Sequence, residues 1–274
     1  VEPKLQRRIQ RYGWDKAAAT YEQSWQRQLS PAQTTLLARA ALAPGERIVD
    51  VACGTGLVTF AAADAVGPAG SVVGVDLSEA MVDLARARAR ERGLGHTRFE
   101  RMDAEKLELP TASFDVVLCA LGLMYVPDAP KAVAEMVRLL APGGRLVAAV
   151  WGRRSRCGWA EIFPIVDAQV KSEVCPLFFS LGAADQLGAI FQGAGLADVV
   201  TDRIETRLEW ASADEACGAA FVGGPVALAY SRFDEATRLA VQAAYLDSIE
   251  PWRNGSGYAV PGEFVIVTGA CSAA

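Results

Sequence analysis

The stretch RIVDVACGTGLVTF, residues 47–60, decides how the rest of the chain is read. Ile48, Val49 and Val51 form a β-branched run, Gly54-Thr55-Gly56 a turn, and the alanine-rich residues that follow spell a helix stopped at Gly67. Strand, glycine turn and helix in that order open a βαβ unit whose glycines let backbone approach a ligand closely. Asp50 complicates this, because a turn built for phosphate should be free of negative charge. The turn reads as a ligand site, and the residues around it must say which ligand.

Working outward, residues 4–42 carry apolar residues at helical spacing and end at Pro44-Gly45. Downstream, SVVGVD is a second strand, and SEAMVDLARARARERG a helix with Ser78 as its N-cap. TRFERMD and FDVVLCAL are strands, DAPKAVAEMVRLL is a helix closed by APGG, and RLVAAVW is a fifth strand. Short apolar strands alternating with helices predict a parallel sheet covered on both faces, with ligands at the carboxyl ends of the strands. After Trp151 the rhythm changes. Residues 153–180 are rich in aromatics and prolines, ADQLGAIFQGAG is a helix, and DVVTDRIETRLEW is a strand. A helical segment, about 211–250, precedes GEFVIVTGA, the last strand.

Composition narrows the function. The chain has 274 residues, 51% hydrophobic, and a net charge of −5, which argues against a nucleic-acid partner. The basic run ARARARER, residues 85–92, reads as the wet face of a helix ending at Gly93. The six cysteines show no CxxC spacing, so reduced thiols are expected and no metal site. VEPKLQRRIQ lacks the apolar run of a signal peptide and no stretch reaches membrane-spanning length, so a cytoplasmic protein without membrane contact is expected. His96 is the single histidine and falls in a loop, GLGHT, where a surface position is expected. Without it no Ser-His-Asp or Cys-His arrangement can be built.

Two cofactors compete for the turn. A dinucleotide would use Gly54 and Gly56 as the first glycines of GxGxxG, but Thr59 stands at the third position. Asp76, ending the second strand, suits the ribose hydroxyls of any adenosine cofactor and does not discriminate. Asp50 does, because it would repel a pyrophosphate. S-adenosylmethionine has no phosphate and carries a sulfonium and an ammonium, so an acid beside open backbone amides suits it.

With VDVACGTG, VVGVDLSEAM, RMDAEKLELP, SFDVVLCALGLMYVPD and LLAPGGRLVAAVW in order, residues 12–152 resemble the class I S-adenosylmethionine-dependent methyltransferases. The likeness is greatest to the ubiquinone/menaquinone-biosynthesis-like small-molecule group, with Ala52-Cys53 replacing the commoner Gly-Cys. The resemblance implies a Rossmann-like α/β fold: a mostly parallel seven-stranded sheet with helices on both faces, an N-terminal helical lid and a helical cap insertion. One domain, 1–274, would comprise a lid (1–45), a cofactor-binding core (46–152) and a C-terminal part bearing the cap (153–274). The resemblance places Asp50, Ala52, Gly54, Thr55 and Gly56 at the cofactor, Asp76 on its ribose, and Leu77 and Met81 near its adenine. It also puts Asp103 on the adenine amino group, Ala104 beside it through backbone, and Cys119 and Leu121 after the fourth strand. The product would be S-adenosylhomocysteine.

Methyl transfer from a sulfonium is an in-line displacement, so the protein mainly aligns the reactants and excludes water. A base is needed only if the nucleophile arrives protonated. Tyr21, Cys119, Leu121 and Tyr125 are the candidates near the methyl; Tyr21 reads either as closing over the cofactor or as packing a helix on the sheet, and Cys119 as a small core filler whose backbone meets the cofactor. Trp14 and Trp25 read as packing residues. The family's last two strands are often joined tightly. Here about 50 residues intervene, and with residues 153–180 they could cap the sheet. Glu161, Phe178, Phe179, Tyr230, Tyr258 and Glu263 would line a substrate pocket there or form the cap's own core. The leading function is O-, N- or C-methylation of a small planar or apolar molecule, in a chain that could form a homodimer. Thiol or arsenite methylation using Cys157, Cys175 and Cys217 is one alternative, and a non-catalytic cofactor-binding module is another.

Overall fold

The computed structural model describes residues 2–170 and 174–272. Two helices come first, α1 (Pro3–Ala17) and α2 (Tyr21–Ala40). Five parallel strands follow: β1 (Arg47–Val51), β2 (Ser71–Asp76), β3 (Thr97–Arg101), β4 (Phe114–Ala120) and β5 (Leu140–Trp151). They are joined by α3 (Leu57–Val66), α4 (Glu79–Glu91) and α5 (Ala129–Leu139). Ile48, Val49, Val116, Val117 and Leu118 are fully buried. Strands covered on both faces must be apolar on both, which is why these segments are largely apolar runs rich in valine.

Beyond β5 lie α6 (Ile162–Asp167), α7 (Gln186–Gly193) and β6 (Ala197–Trp210). An excursion then carries α8 (Ala213–Cys217), a π-helical turn (Gly218–Val222), α9 (Ala227–Tyr230) and α10 (Glu235–Ile249). The chain returns through the two-residue β7 (Arg253–Asn254) to β8 (Gly257–Ala270). The sheet order is β3-β2-β1-β4-β5-β8-β6, a seven-strand path in which β8 runs antiparallel, with β7 pairing on β8 outside that path. This is the Rossmann-like class I methyltransferase fold, with helices on both faces of the sheet.

Two strand ends depart from the sequence reading. β8 begins at Gly257 rather than Gly262, running through Pro261. Residues before Phe264 extend past the end of β5 and pair with β6, so Pro261, which has no N–H to give, is tolerated there. β5 begins at Leu140 because Leu140 already pairs with Phe114, before a register shift brings Arg145 opposite Val116.

The strand order reverses between β1 and β4, so the connections leave the sheet in opposite directions there and open a crevice. α1 packs on α9 and α4, while α6 packs on α10. The N-terminal helices and the two late excursions thus meet above the carboxyl ends of the strands. Among the described residues, no helix is long and apolar enough to cross a membrane.

Candidate active site

A cleft of about 1040 Å³, open mouth included, lies over the strand ends. Its floor is backbone and side chain from the ends of five strands. Val51, Ala52 and Gly54 follow β1, Asp76 and Leu77 close β2, and Met102, Asp103 and Ala104 follow β3. Ala120, Leu121 and Gly122 follow β4, and Trp151 ends β5. The roof comes from Arg7, Gln10 and Trp14 of α1 and from Tyr21, Trp25 and Leu29 of α2. Met81, Tyr125, Trp159, Phe178 and Pro225 complete the walls.

The floor is shaped by a strained turn. Ala52 has φ 59° and Leu121 φ 63°, both in the left-handed region that costs an L-residue roughly 1–2 kcal/mol. They end the two strands that flank the crevice. Gly56, at φ 93°, caps α3, and a Cβ there would stand 2.7 Å from the Phe60 ring.

Asp76 is the polar centre of the floor. Its Oδ2 accepts the Gly54 N–H at 2.9 Å and its Oδ1 the Ser78 N–H at 2.8 Å. Burial raises its pKa, and those backbone donors oppose the rise. Each oxygen keeps a lone pair for a further donor. Across the cleft Asp103 accepts the Glu105 N–H at 3.0 Å and lies 3.1 Å from Arg7 Nε, while Arg7 also pairs with the buried Glu105.

At the other end the walls are aromatic. Trp14 meets Tyr21 edge-on at 5.6 Å and Tyr125 at 5.1 Å, and Tyr125 meets Phe178 at 5.4 Å. Trp159 sits edge-on between Trp151 at 4.8 Å and Phe178 at 5.4 Å. Trp25 is anchored by its indole N–H, which donates to the Ala219 carbonyl at 3.1 Å. Burial raises the phenols of Tyr21 and Tyr125 above their ordinary range.

The cleft therefore gathers Tyr21, Ala52, Gly54, Asp76, Leu77, Met81, Asp103, Ala104, Leu121, Tyr125 and Phe178 from the residues picked in the sequence. Others lie behind it. Asp50 is 1% exposed, and its Oδ2 accepts the Thr59 hydroxyl at 2.6 Å, so it underpins the turn from within and does not line the cleft. Thr55 is buried with its hydroxyl on Glu22, and Cys119 is fully buried beneath the floor. Neither these two nor Gly56 lines the cleft.

Most of the substrate candidates need correction, because each already has its own partner. Glu161 is exposed and pairs with Arg154 at 3.1 Å. Glu263 is buried against Arg203 at 2.9 Å and the Arg153 N–H at 2.9 Å, as a carboxylate inside a sheet must be. The Tyr230 hydroxyl accepts from Gln242 at 2.8 Å and that of Tyr258 from Arg253 at 2.9 Å. Phe179 packs behind Phe178, at 4.8 Å. None of these five lines the cleft.

Cys157, Cys175 and Cys217 do not line it either, and burial pushes their thiols to about 12, 12 and 11. His96 lies before β3, at the opposite end of the strands, with Nε2 3.1 Å from the Ala63 carbonyl. Trp14 and Trp25, read as packing residues, line the cleft, as do Arg7 and Gln10. Their signal was spacing. Arg7, Gln10 and Trp14 share one face of α1, and Tyr21, Trp25 and Leu29 share one face of α2.

A family model described as a methyltransferase domain matches residues 48–144, from β1 into β5. Nocamycin O-methyltransferase of Saccharothrix syringae is 39% identical over 133 residues, 48% of each chain. Demethylmenaquinone methyltransferase of Geobacillus kaustophilus is 32% identical over 173 residues, 57% of this chain and 72% of its own. The first curated relatives are matched over 41–60% of their length, so the chain spans about half of them. Among solved structures, the YcgJ protein of Bacillus subtilis superposes with TM-score 0.64 at 18% identity, covering 89% of this chain and all of that one. Those matches run through the strands that build the cleft floor, and by them the chain belongs to the class I S-adenosylmethionine-dependent methyltransferases.

Proposed function

We propose that the chain binds S-adenosylmethionine on the cleft floor and methylates an O, N or C atom of a small molecule held under the aromatic walls. Asp76 carries the reading. Its carboxylate ends β2 inside the cleft, is fixed from behind by two backbone N–H groups, and stands beside open backbone at Ala52 and Gly54. A ribose diol would find both acceptors there. Leu77, Met81 and Met102 offer apolar walls for an adenine, and Asp103 with Ala104 offers acceptor and backbone groups near its edge.

When bound, the cofactor supplies a methyl group on a positively charged sulfur, already activated for displacement. The chain's part is alignment and exclusion of water. Trp14 and Tyr21 close the roof, while Leu121, held at φ 63°, sets the floor where β4 ends. Tyr21 and Tyr125 present phenol edges that orient an acceptor.

Calorimetry tests the reading. S-adenosylhomocysteine should bind with a micromolar constant, roughly 7–8 kcal/mol. Asp76→Ala should weaken it by about 1.5–3 kcal/mol, the worth of hydrogen bonds to a charged group. Wild-type affinity in that variant would sink the assignment. Labelled methyl transfer to a panel of phenols, acids, amines and thiols then identifies the acceptor atom.

A further inference from the structure

Among the described residues, the acceptor end of the cleft offers nothing to take a proton. This inference rests on the reading just given and deepens it. Among the described residues that line the cleft, the ionisable side chains are Arg7, Asp76, Asp103, Tyr21 and Tyr125. Asp76 holds the Gly54 and Ser78 N–H groups, and Asp103 is engaged by Arg7 and the Glu105 N–H. Both acids belong to the cofactor floor. Among the described residues, the acceptor end has only the phenols of Tyr21 and Tyr125 among its indoles and rings, and burial favours their protonated, neutral form. A phenol that keeps its proton at neutral pH is no base.

Trp159 adds a second observation. It lines the same end, and its buried Nε1–H has no hydrogen-bond partner. A buried donor left unpaired is costly, so a small turn of the indole that brought it against a ligand oxygen would be favoured. An anion placed among these rings would also face the positive sulfur across a water-poor gap, where opposite charges attract strongly.

We infer that the acceptor is a planar acid, a carboxylic acid or an acidic enol or phenol, that enters already ionised. Its proton is lost to water before binding. The lone pair of the acid's oxygen, or of the carbon conjugated with it, forms the new bond to the methyl carbon. The carbon–sulfur bond breaks with its pair left on sulfur, and both charges vanish together. No proton passes to the chain.

The test uses the intact protein and calorimetry, with 4-hydroxycoumarin and 1-hydroxy-2-naphthoic acid as probes ionised at pH 7 and 1-naphthol as a neutral one. Each is titrated into protein loaded with S-adenosylhomocysteine, neutral at the sulfur, and with sinefungin, which carries an ammonium there. At least one acid should bind fivefold or more tightly in the sinefungin complex, with 1-naphthol unchanged within twofold. Trp159→Phe should weaken that acid several-fold more than it weakens 1-naphthol. Equal binding of acid and naphthol in both complexes would overturn the inference, as would failure of both acids to bind. A second arm follows methyl transfer against pH for acceptors of different acidity. The midpoint should move with the acceptor; one fixed midpoint for all of them means a base on the chain. Failure of S-adenosylhomocysteine itself to bind is a separate result and strikes the cofactor reading instead.

Discussion

At the scale of single residues, Ala52 and Gly122 form a matched pair. Ala52 occupies a left-handed position that glycine would fill without strain. Its methyl takes the space beside Gly122, where an added Cβ would stand 2.2 Å from it. Both residues line the cleft floor, so any adjustment would be felt by a ligand. Gly122→Ala should therefore cost about 1–3 kcal/mol by overpacking. Ala52→Gly alone removes backbone strain but loosens the unfolded chain, so its effect should be within about 1 kcal/mol. In the double variant most of the Gly122→Ala loss should return, because the clash is gone. Urea midpoints of the four proteins measure this coupling, and strict additivity would show that the two sites do not meet.

At the scale of elements, α1 and α2 differ in how they are held. α2 buries Trp25, Leu29, Leu36 and two alanines, and it packs on β4, β5 and β8. α1 buries Gln6, Gln10, Gly13 and Ala17, which gives it little apolar area to lose. Polar clasps hold it instead. Asp15 accepts the Ser78 hydroxyl at 2.6 Å, while Arg7 engages Glu105 and Asp103. These clasps grip the loops after β2 and β3, the first of which follows Asp76 and the second of which carries Asp103. If either helix opens to admit ligands, it is α1. Its amides should exchange faster than those of α2 in the free protein and slow when S-adenosylhomocysteine binds. Asp15→Ala should speed α1 exchange further while leaving α2 alone. Matching exchange in both helices would mean a fixed roof. The sequence reading treated residues 1–45 as one lid, because helical spacing locates a helix without saying what its buried face is worth.

At the scale of the whole molecule, what could be read from sequence was what depends on neighbours in sequence. The strands and helices of the βαβ core, and the turn residues that end the strands, follow from local runs and spacings. The cap residues did not follow, because Tyr230, Tyr258 and Glu263 were already claimed by Gln242, Arg253 and Arg203. No local pattern announces such pairings. Asp50 was misplaced for a related reason: its position before the turn was clear, but its direction, inward onto Thr59, belongs to the packing of α3 on β1. That burial has a consequence for stability. Asp50 is pushed from 3.8 up to about 7, chiefly by desolvation, and Asp76 adds to the rise while the Thr59 hydroxyl opposes it. The folded protein therefore holds a proton that the unfolded chain has released, and stability must fall as pH climbs from about 4 to about 7. Below that window the contribution is fully present; above it the carboxylate is ionised in both states and the loss is complete. The acid side works in reverse. Asp115 and Glu135 are held below their ordinary range by Arg47 and Arg138, and their modest, partly exposed contributions are lost as pH falls. Asp50→Asn keeps an oxygen for Thr59 and removes the titration. Its stability relative to wild type should rise steadily between pH 4 and 7 and level off above. The total is on the order of 4 kcal/mol, at about 1.4 kcal/mol for each unit of the window. Urea unfolding at pH 4.5, 6, 7 and 8 measures the difference directly. A difference that stays constant across that range would mean Asp50 is ionised in the fold throughout, and the turn would then rest on a buried charge.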